Sequence, residues 1–527
     1  MTPPPHDGPP RHHPAGASLL RRTAVGAGWM VAWRAFTRVL GLASTLVLAR
    51  ALVPADFGLL AMATGFAAAV EALSQVGLQD ALVRHPDGER LRDTGFTLQL
   101  ARGLATGLAV ALAAPAAAWW FAEPRLLPVL LILAAGALAA GAENIGIVAF
   151  RRDLRFDRQF ALLSAPRLLQ LAVTVPLALA LHSYWALLAG IVAARLARTA
   201  MTWLVHPYRP RLSLAGWREL AGFSLWTWAG SLAGLVWDRC DPFVLGPRFG
   251  AARLGLYVQA QELAALPATE LVLPAVEALF AGLASSSRAG GSPARLAPAV
   301  ALALTMAILP LAIAISCAAG DVVAVLLGPH WAAAAGLVAI LAWQGAFAPF
   351  GFVVGVTLLA GGLARRNFVA NAAASAIRLA ALIAAVALTR RLDLIAWTTV
   401  GCVAAEAAVF LALLPGGAGW LRETAGGFAR AAAAAAVTVA VLAALGLAWR
   451  PAPAAGFSAL AHGLLVGVVT LVVYAAALLA AWFATGRPDG PERRLSGLVA
   501  ARLRVRRRTP PSRSQFTDTG LVGRRRT

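Results

Sequence analysis

The segment "LVPADFGLLAMA" at residues 52–63 returns in altered form as "FGAARLGLYVQA" at residues 249–260. At an offset of 197 residues, Ala55 falls on Ala252, Gly58 on Gly255, Leu59 on Leu256 and Ala63 on Ala260. Each copy follows one long apolar run and leads into the next. Outward from this pair, apolar runs of about 20 residues recur along the whole chain, the length that crosses ~30 Å of hydrocarbon. Breaks carrying Arg, Pro or Gly divide them into about fourteen spans, near 24–48, 57–77, 97–120, 126–148, 160–181, 184–205, 219–240, 254–282, 297–318, 331–359, 367–388, 393–414, 428–448 and 460–484. The two copies then lie six spans apart, a separation that preserves their orientation. The expected architecture is an all-α polytopic membrane protein of about 14 transmembrane helices, with two six-helix lobes as parallel repeats and two C-terminal helices outside them. Parallel repeats are related by an axis along the membrane normal, and the substrate route runs between them. The corresponding divisions are a tail at 1–22, an N-lobe at 23–206, a C-lobe at 207–416, a terminal pair at 417–485 and a basic tail at 486–527.

Composition supports the same class. The 527 residues are 59% hydrophobic and 13% charged, with a mean hydropathy of +0.72. A soluble domain runs near ~45–50% apolar and about 25% charged, so a soluble enzyme is excluded. Forty-six basic residues, all Arg, stand against 24 acidic ones, for a formal charge of +22. On a polytopic chain this excess reflects the gathering of basic residues in cytoplasmic connections, not nucleic-acid binding. With an even number of spans, 19 Arg fall in the N-terminal tail and the connections on its side, against 7 on the other side. That bias places both termini in the cytoplasm. The Arg-rich stretch after residue 485 reads as a disordered tail resting on anionic membrane lipid. Residues 1–16, rich in Pro and His, do not read as a signal peptide.

Catalytic signatures are missing. Without Lys no phosphate loop ending in Gly-Lys-Ser/Thr can form, and no His-Glu-x-x-His or Gly-x-Ser-x-Gly occurs. Cys240, Cys317 and Cys402 are too widely spaced for a metal site or a disulfide framework. No cofactor, metal or covalent chemistry is expected.

Ionisable groups at membrane depth carry the functional signal, because each costs at least ~2.5–3.5 kcal/mol at the centre of a span. In the first span Arg34 and Arg38 are spaced i, i+4 and share a helical face. Two like charges on one face suit an anionic ligand in a wet cavity; the plainer alternative is snorkelling to the interface. The eighth span carries Glu262, Glu270 and Glu277, which regular helical spacing places on one stripe with a coupling-ion or polar-cavity role. Inter-helix ion pairing is the competing reading. Asn371 and Arg378 share a face of the eleventh span, Asp238, Arg239 and Asp241 cluster at the end of the seventh, and Glu143 and Glu406 stand alone with Arg partners conceivable for each. Arg102, Arg167, Arg195 and Arg198 read as interfacial.

Several stretches taken in order resemble a known family. They are the Arg-x-x-x-Arg of span 1, "LARALVPADFGLLAMAT", "LSQVGLQDALVR", "FRRDLRFDRQF", "HSYWALLAG", "HPYRPRLSL" and "DRCDPFVLGPRFGAARLGLYVQAQELAALPATEL". Together they resemble bacterial polysaccharide or lipopolysaccharide biosynthesis proteins of the oligosaccharide flippase type, in the multidrug/oligosaccharidyl-lipid/polysaccharide exporter superfamily. The resemblance covers roughly residues 20–440. It implies two lobes forming a V around a central cavity in the bacterial inner membrane. It also implies a task, the movement of a polyprenyl-pyrophosphate-linked oligosaccharide from the cytoplasmic to the periplasmic leaflet for exopolysaccharide, capsule or O-antigen assembly. Alternating access driven by a cation gradient, cationic cavity residues meeting the pyrophosphate, and partnership with a polysaccharide polymerase and export machinery belong to the same implication. Carried onto this chain, the pyrophosphate candidates are Arg34, Arg38, Arg239 and Arg378, and the coupling or polar-cavity candidates are Glu262, Glu270, Glu277 and Asn371. A lipid II flippase and a multidrug exporter of the same superfamily are the near alternatives. A membrane glycosyltransferase or polymerase, or a non-transporting scaffold, is further off.

Overall fold

The computed structural model describes residues 43–74, 89–153, 155–221, 225–288, 297–450 and 456–488, with isolated positions at 36, 37, 40, 41, 78, 79, 82, 85 and 493. These residues are overwhelmingly helical and contain no β-strand. That is what an apolar solvent enforces, since only a helix satisfies every backbone N–H and C=O within its own segment. The principal helices are α1 (43–51), α2 (Pro54–Leu73), α3 (Arg92–Trp120), α4 (Leu126–Gly141), α5 (Phe156–Leu181) and α6 (Trp185–Val205), then α7 (Leu225–Pro267) and α8 (Leu273–Arg288). They continue with α9 (Ala297–Cys317), the short α10 (Ala319–Leu326), the segmented α11 (Pro329–Ala360), α12 (Ala364–Leu388), α13 (Leu392–Leu413), α14 (Gly417–Ala444) and α15 (Phe457–Ala484). Ten helices among the described residues are long and apolar enough to cross a membrane, and α4 is a shorter apolar helix. The first expected span lies largely outside the described residues.

Local chemistry sets several boundaries. Pro54 opens α2, where its missing N–H is no loss, and Asp56 accepts a hydrogen bond from the Val53 N–H at 3.3 Å. His182, at φ 47°, ends α5 in the left-handed region. The seventh and eighth spans, expected as separate helices, join without a loop. A single residue, Gly250 at φ 73° and ψ 171°, breaks α7 into two arms, a conformation that glycine adopts without steric cost. A π-helical turn at Ala268–Val272 then leads into α8.

Helices α2 to α6 pack among themselves, as do α7 and α9 to α15. Close helix packing uses small residues: a Cβ on Gly103 of α3 would lie 2.4 Å from the Gly141 Cα at the end of α4. The two halves meet chiefly where α2 runs along α7, and here the repeat becomes visible. A Cβ on Gly58 would sit 1.8 Å from the carbonyl oxygen of Ala251, and a Cβ on Gly255 would sit 1.9 Å from that of Pro54. Pro54 and Ala251 are themselves equivalent under the 197-residue offset, as are Gly58 and Gly255. The contact is therefore reciprocal, as a two-fold relation between parallel repeats requires. Beside it, the elbow between α9 and α11 grips the end of α1: buried Trp331 donates from Nε1 to the Ala49 carbonyl at 2.8 Å, and Arg50 donates to that of Val325 at 2.7 Å.

The connection between the halves is docked, not loose. Over residues 206–219 it lies against the ends of α3, α4 and α6. The Tyr208 hydroxyl and the Arg211 N–H both donate to Asp93, the latter at 2.9 Å. Ser213 N donates to Thr97 Oγ1 at 2.9 Å, and Arg90 pairs with Glu219 at 2.9 Å. Burial and the bond to Asp93 hold the Tyr208 phenol well above its usual range. His206 is pushed below its ordinary value, first by burial and then by Arg92, Arg158 and Arg209.

Candidate functional site

A polar cavity of about 500 Å³ opens between the halves, walled by α1 and positions just before it, by α5, and by the second arm of α7 with the π-helical turn that follows. Thr37, Leu40, Gly41, Ser44 and Thr45 form one wall, Arg167 and Gln170 another, and Gln259, Glu262 and Thr269 the third. Along α7 the lining residues follow the glycine seam in the chain, at Gln259 to Leu266 against Ala251 to Gly255. Arg167 is exposed to the cavity and donates to Gln170 at 3.3 Å. Gln259 is 6% exposed, and its Oε1 has no hydrogen-bond partner among the described residues. A buried polar atom without a partner is uncommon in a settled core and marks a place where water or a ligand completes the bonding. The site thus offers a guanidinium, a carboxylate, two carboxamides and hydroxyls to a polar guest.

The expected site residues distribute unevenly. Glu262 is exposed and lines the cavity. Glu270 and Glu277 are exposed as well but do not line it. The single-stripe spacing assumed a regular helix through residue 277, and the π-helical turn at Ala268–Val272 changes the helical phase between Glu262 and the other two. Arg34 and Arg38 lie outside the described residues, although their neighbours Thr37, Leu40 and Gly41 reach the cavity. Arg239 is exposed and sits elsewhere. Asn371 is half-buried and donates to the Asn367 carbonyl one turn earlier, at 2.8 Å. Arg378 is 3% exposed in the core of the second half, where its Nη2 donates to Asp241 Oδ2 at 2.8 Å and its guanidinium lies 4.8 Å from the Trp237 ring centre. Asp241, which clusters in sequence with Asp238 and Arg239, is thus held by a residue 137 positions away. In the first half Glu143 pairs with Arg198 at 2.9 Å.

Sequence reasoning missed Arg167, Gln170 and Gln259 as cavity residues. Arg167 was read as interfacial because its distance from the span end gave no indication of the face it presents. An apolar groove of about 1510 Å³ lies apart from the cavity, between α9, α11, α13 and α14 and lined largely by Ala with Trp343, Trp397 and Trp449. Among the described residues no cluster of three or more His, Cys, Asp or Glu could hold a metal ion.

The polysaccharide biosynthesis protein family matches residues 47–336, more than half of the chain. The chain belongs to that family. A curated relative, the succinoglycan biosynthesis transport protein ExoT of Rhizobium meliloti (strain 1021), is 28% identical over 261 residues, covering 47% of this chain and 51% of the relative. The chain thus spans about half the length of the curated relative it matches. Among solved structures, the lipid II flippase MurJ in an inward closed conformation is similar over 85% of this chain and 97% of that one, with a TM-score of 0.69 and 9% identity. A multidrug resistance MATE family transporter of the MOP superfamily, inward-facing, covers 73% of this chain and 95% of its own, with a TM-score of 0.56 and 15% identity. At these identities the likeness concerns the fold: this member of the polysaccharide biosynthesis protein family is a multi-pass membrane protein with the fold of that transporter superfamily.

Proposed function

We propose that the protein is a flippase, not an enzyme, that carries a polyprenyl-pyrophosphate-linked oligosaccharide from the cytoplasmic to the periplasmic leaflet of the bacterial inner membrane, for assembly of exopolysaccharide, capsule or O-antigen. The observation that carries this reading is the polar cavity between two repeats that are in backbone contact at the Gly58–Gly255 seam. Such an arrangement presents a route to one side of the membrane at a time, and rocking of the halves about the seam alternates the side. With both termini cytoplasmic, as the Arg bias favours, the seam lies on the periplasmic side and the cavity is reached from the cytoplasm.

The chemistry suits the substrate class. A guanidinium such as Arg167 offers a planar fork to a pyrophosphate, and the carboxamides and hydroxyls around it match sugar hydroxyls. Arg34 and Arg38, whose i, i+4 spacing in the sequence suits one helical face, would add charge for the same ligand. The apolar groove provides a face for the prenyl chain within the membrane. A cation gradient supplies the drive, and membrane lipids, a polysaccharide polymerase and the export machinery are the partners.

The test is a reconstituted vesicle assay in which leaflet access of a polyprenyl-pyrophosphate oligosaccharide is followed over time. The wild-type protein should move it, and Arg34→Ala/Arg38→Ala and Arg167→Ala variants that insert normally should lose most of that activity. Failure of the wild type, with efflux of organic cations instead, would establish the multidrug reading. Preference for lipid II would move the assignment to that substrate.

A further inference from the structure

Charge does not balance inside the second half of the molecule. Arg378 and Asp241 cancel one another across α12 and α7. On the neighbouring α13, Glu406 stands half-buried against Gly351 of α11, its carboxyl carbon 3.4 Å and Oε2 3.5 Å from where a glycine Cβ would be. It makes no hydrogen bond or ion pair with the described residues, and the charges acting on it most are those of Arg378 and Asp238. Among the elements packed on α13, α11 carries no Arg, Asp or Glu, α12 adds Arg365 and Arg366, and α14 adds Arg422, Glu423 and Arg430. The first arm of α7 also carries Arg239. A second orphan lies close by: Arg378 is 3% exposed, yet its Nε–H is buried and has no acceptor among the described residues. An unpaired carboxyl and an unpaired guanidinium N–H thus lie on adjacent helices, with Arg378 the charge that acts first on Glu406.

An ionised carboxylate at membrane depth with no partner is costly, and the cheapest relief is a proton. A metal ion is a poorer answer, because Arg378 already supplies a fixed positive charge and no cluster of ligating side chains surrounds Glu406 among the described residues. We propose that Glu406 is a proton-binding residue of the transport cycle. With the carboxyl protonated, Arg378 stays with Asp241 and Cys240; when the proton leaves for solvent, the carboxylate accepts a charge-assisted bond from the Nε–H of Arg378 and braces α13 against α12 and α7. A proton thereby switches the packing of the second half. The transport part of this inference rests on the flippase reading; the proton-binding part does not.

Two measurements separate them. Purified protein in nanodiscs is titrated while the infrared stretch of protonated carboxyls is followed. A titrating band should be present in the wild type, absent in Glu406→Gln and retained in Glu406→Asp. In vesicles holding a polyprenyl-pyrophosphate oligosaccharide, the leaflet ratio should change about tenfold per unit of pH gradient if one proton is coupled, and Glu406→Gln should abolish that dependence while exchange continues. An unchanged infrared band in Glu406→Gln, or a wild-type response to the gradient in that variant, would overturn the proposal. If the wild-type protein moves no substrate, the flippase reading fails, and the infrared titration still decides whether Glu406 binds the proton.

Discussion

Arg378 shows what a single sequence can and cannot reveal about a buried charge. Its position inside an apolar run marked it as costly, and the structure accounts for that cost with Asp241, Trp237 and a location 3% exposed. The partner was not legible, because the pair joins residues 137 apart. Breaking a buried pair from one side leaves a lone charge and typically costs about 3–5 kcal/mol, whereas replacing both with apolar residues of similar volume is often neutral. Arg378→Leu and Asp241→Leu should each lower thermal stability sharply, and the double variant should recover much of the loss. Equal, additive losses in the double variant, read by detergent-solubilised melting, would show that the pair is not a unit. Gln259 is the opposite case. An amide on a span draws little notice in the sequence, yet burial without a partner for Oε1 makes it a cavity residue. Gln259→Leu should leave folding intact and reduce transport, measured as initial rate in vesicles.

At the level of elements, most helices were legible because membrane length and apolar composition fix them. The departures occur where backbone chemistry overrides hydropathy. The single-residue break at Gly250 joined two spans into α7, and the π-helical turn after Pro267 changed the phase of a stripe read as regular. The docked connection at 206–219 was not foreseen either, since its bonds to α3 depend on tertiary placement of Asp93, Thr97 and Arg90. Its stability should depend on pH through His206, whose Nδ1 accepts from the Tyr208 N–H at 3.1 Å and so needs the neutral ring. The folded value lies below the ordinary 6.5, so this contribution is full above 6.5 and is lost as pH falls through the lowered folded value. A wild-type melting temperature that declines over this window, with a shallower decline in His206→Gln, is the expected result.

For the whole molecule, the repeat read from twelve residues has a physical counterpart in the seam between α2 and α7. Four identities at one offset were the only trace of it, and one of them, Gly58 with Gly255, is where backbone meets backbone. The seam brings the two halves into backbone contact, and the polar cavity lies between the same halves. Gly58→Ala places a methyl 1.8 Å from the Ala251 oxygen, too close for any side chain, so the halves must part there. Labels at Val53 and Arg253 should then move apart in a pulsed dipolar distance measurement, with transport reduced. An unchanged distance in a normally stable variant would remove the seam from the gating account. The cavity itself was only half legible: Glu262 was foreseen, but which arginines face it depends on how helices rotate against one another, and that information is not local.

The most direct test of the central claim follows lipid-linked oligosaccharide and surface polysaccharide together in a strain lacking this protein. The account predicts loss of surface polymer with the complete pyrophosphate-linked repeat unit accumulating on the cytoplasmic face, and restoration of both by the wild-type chain. Accumulation of single repeat units on the periplasmic face, or unchanged surface polysaccharide, would contradict it.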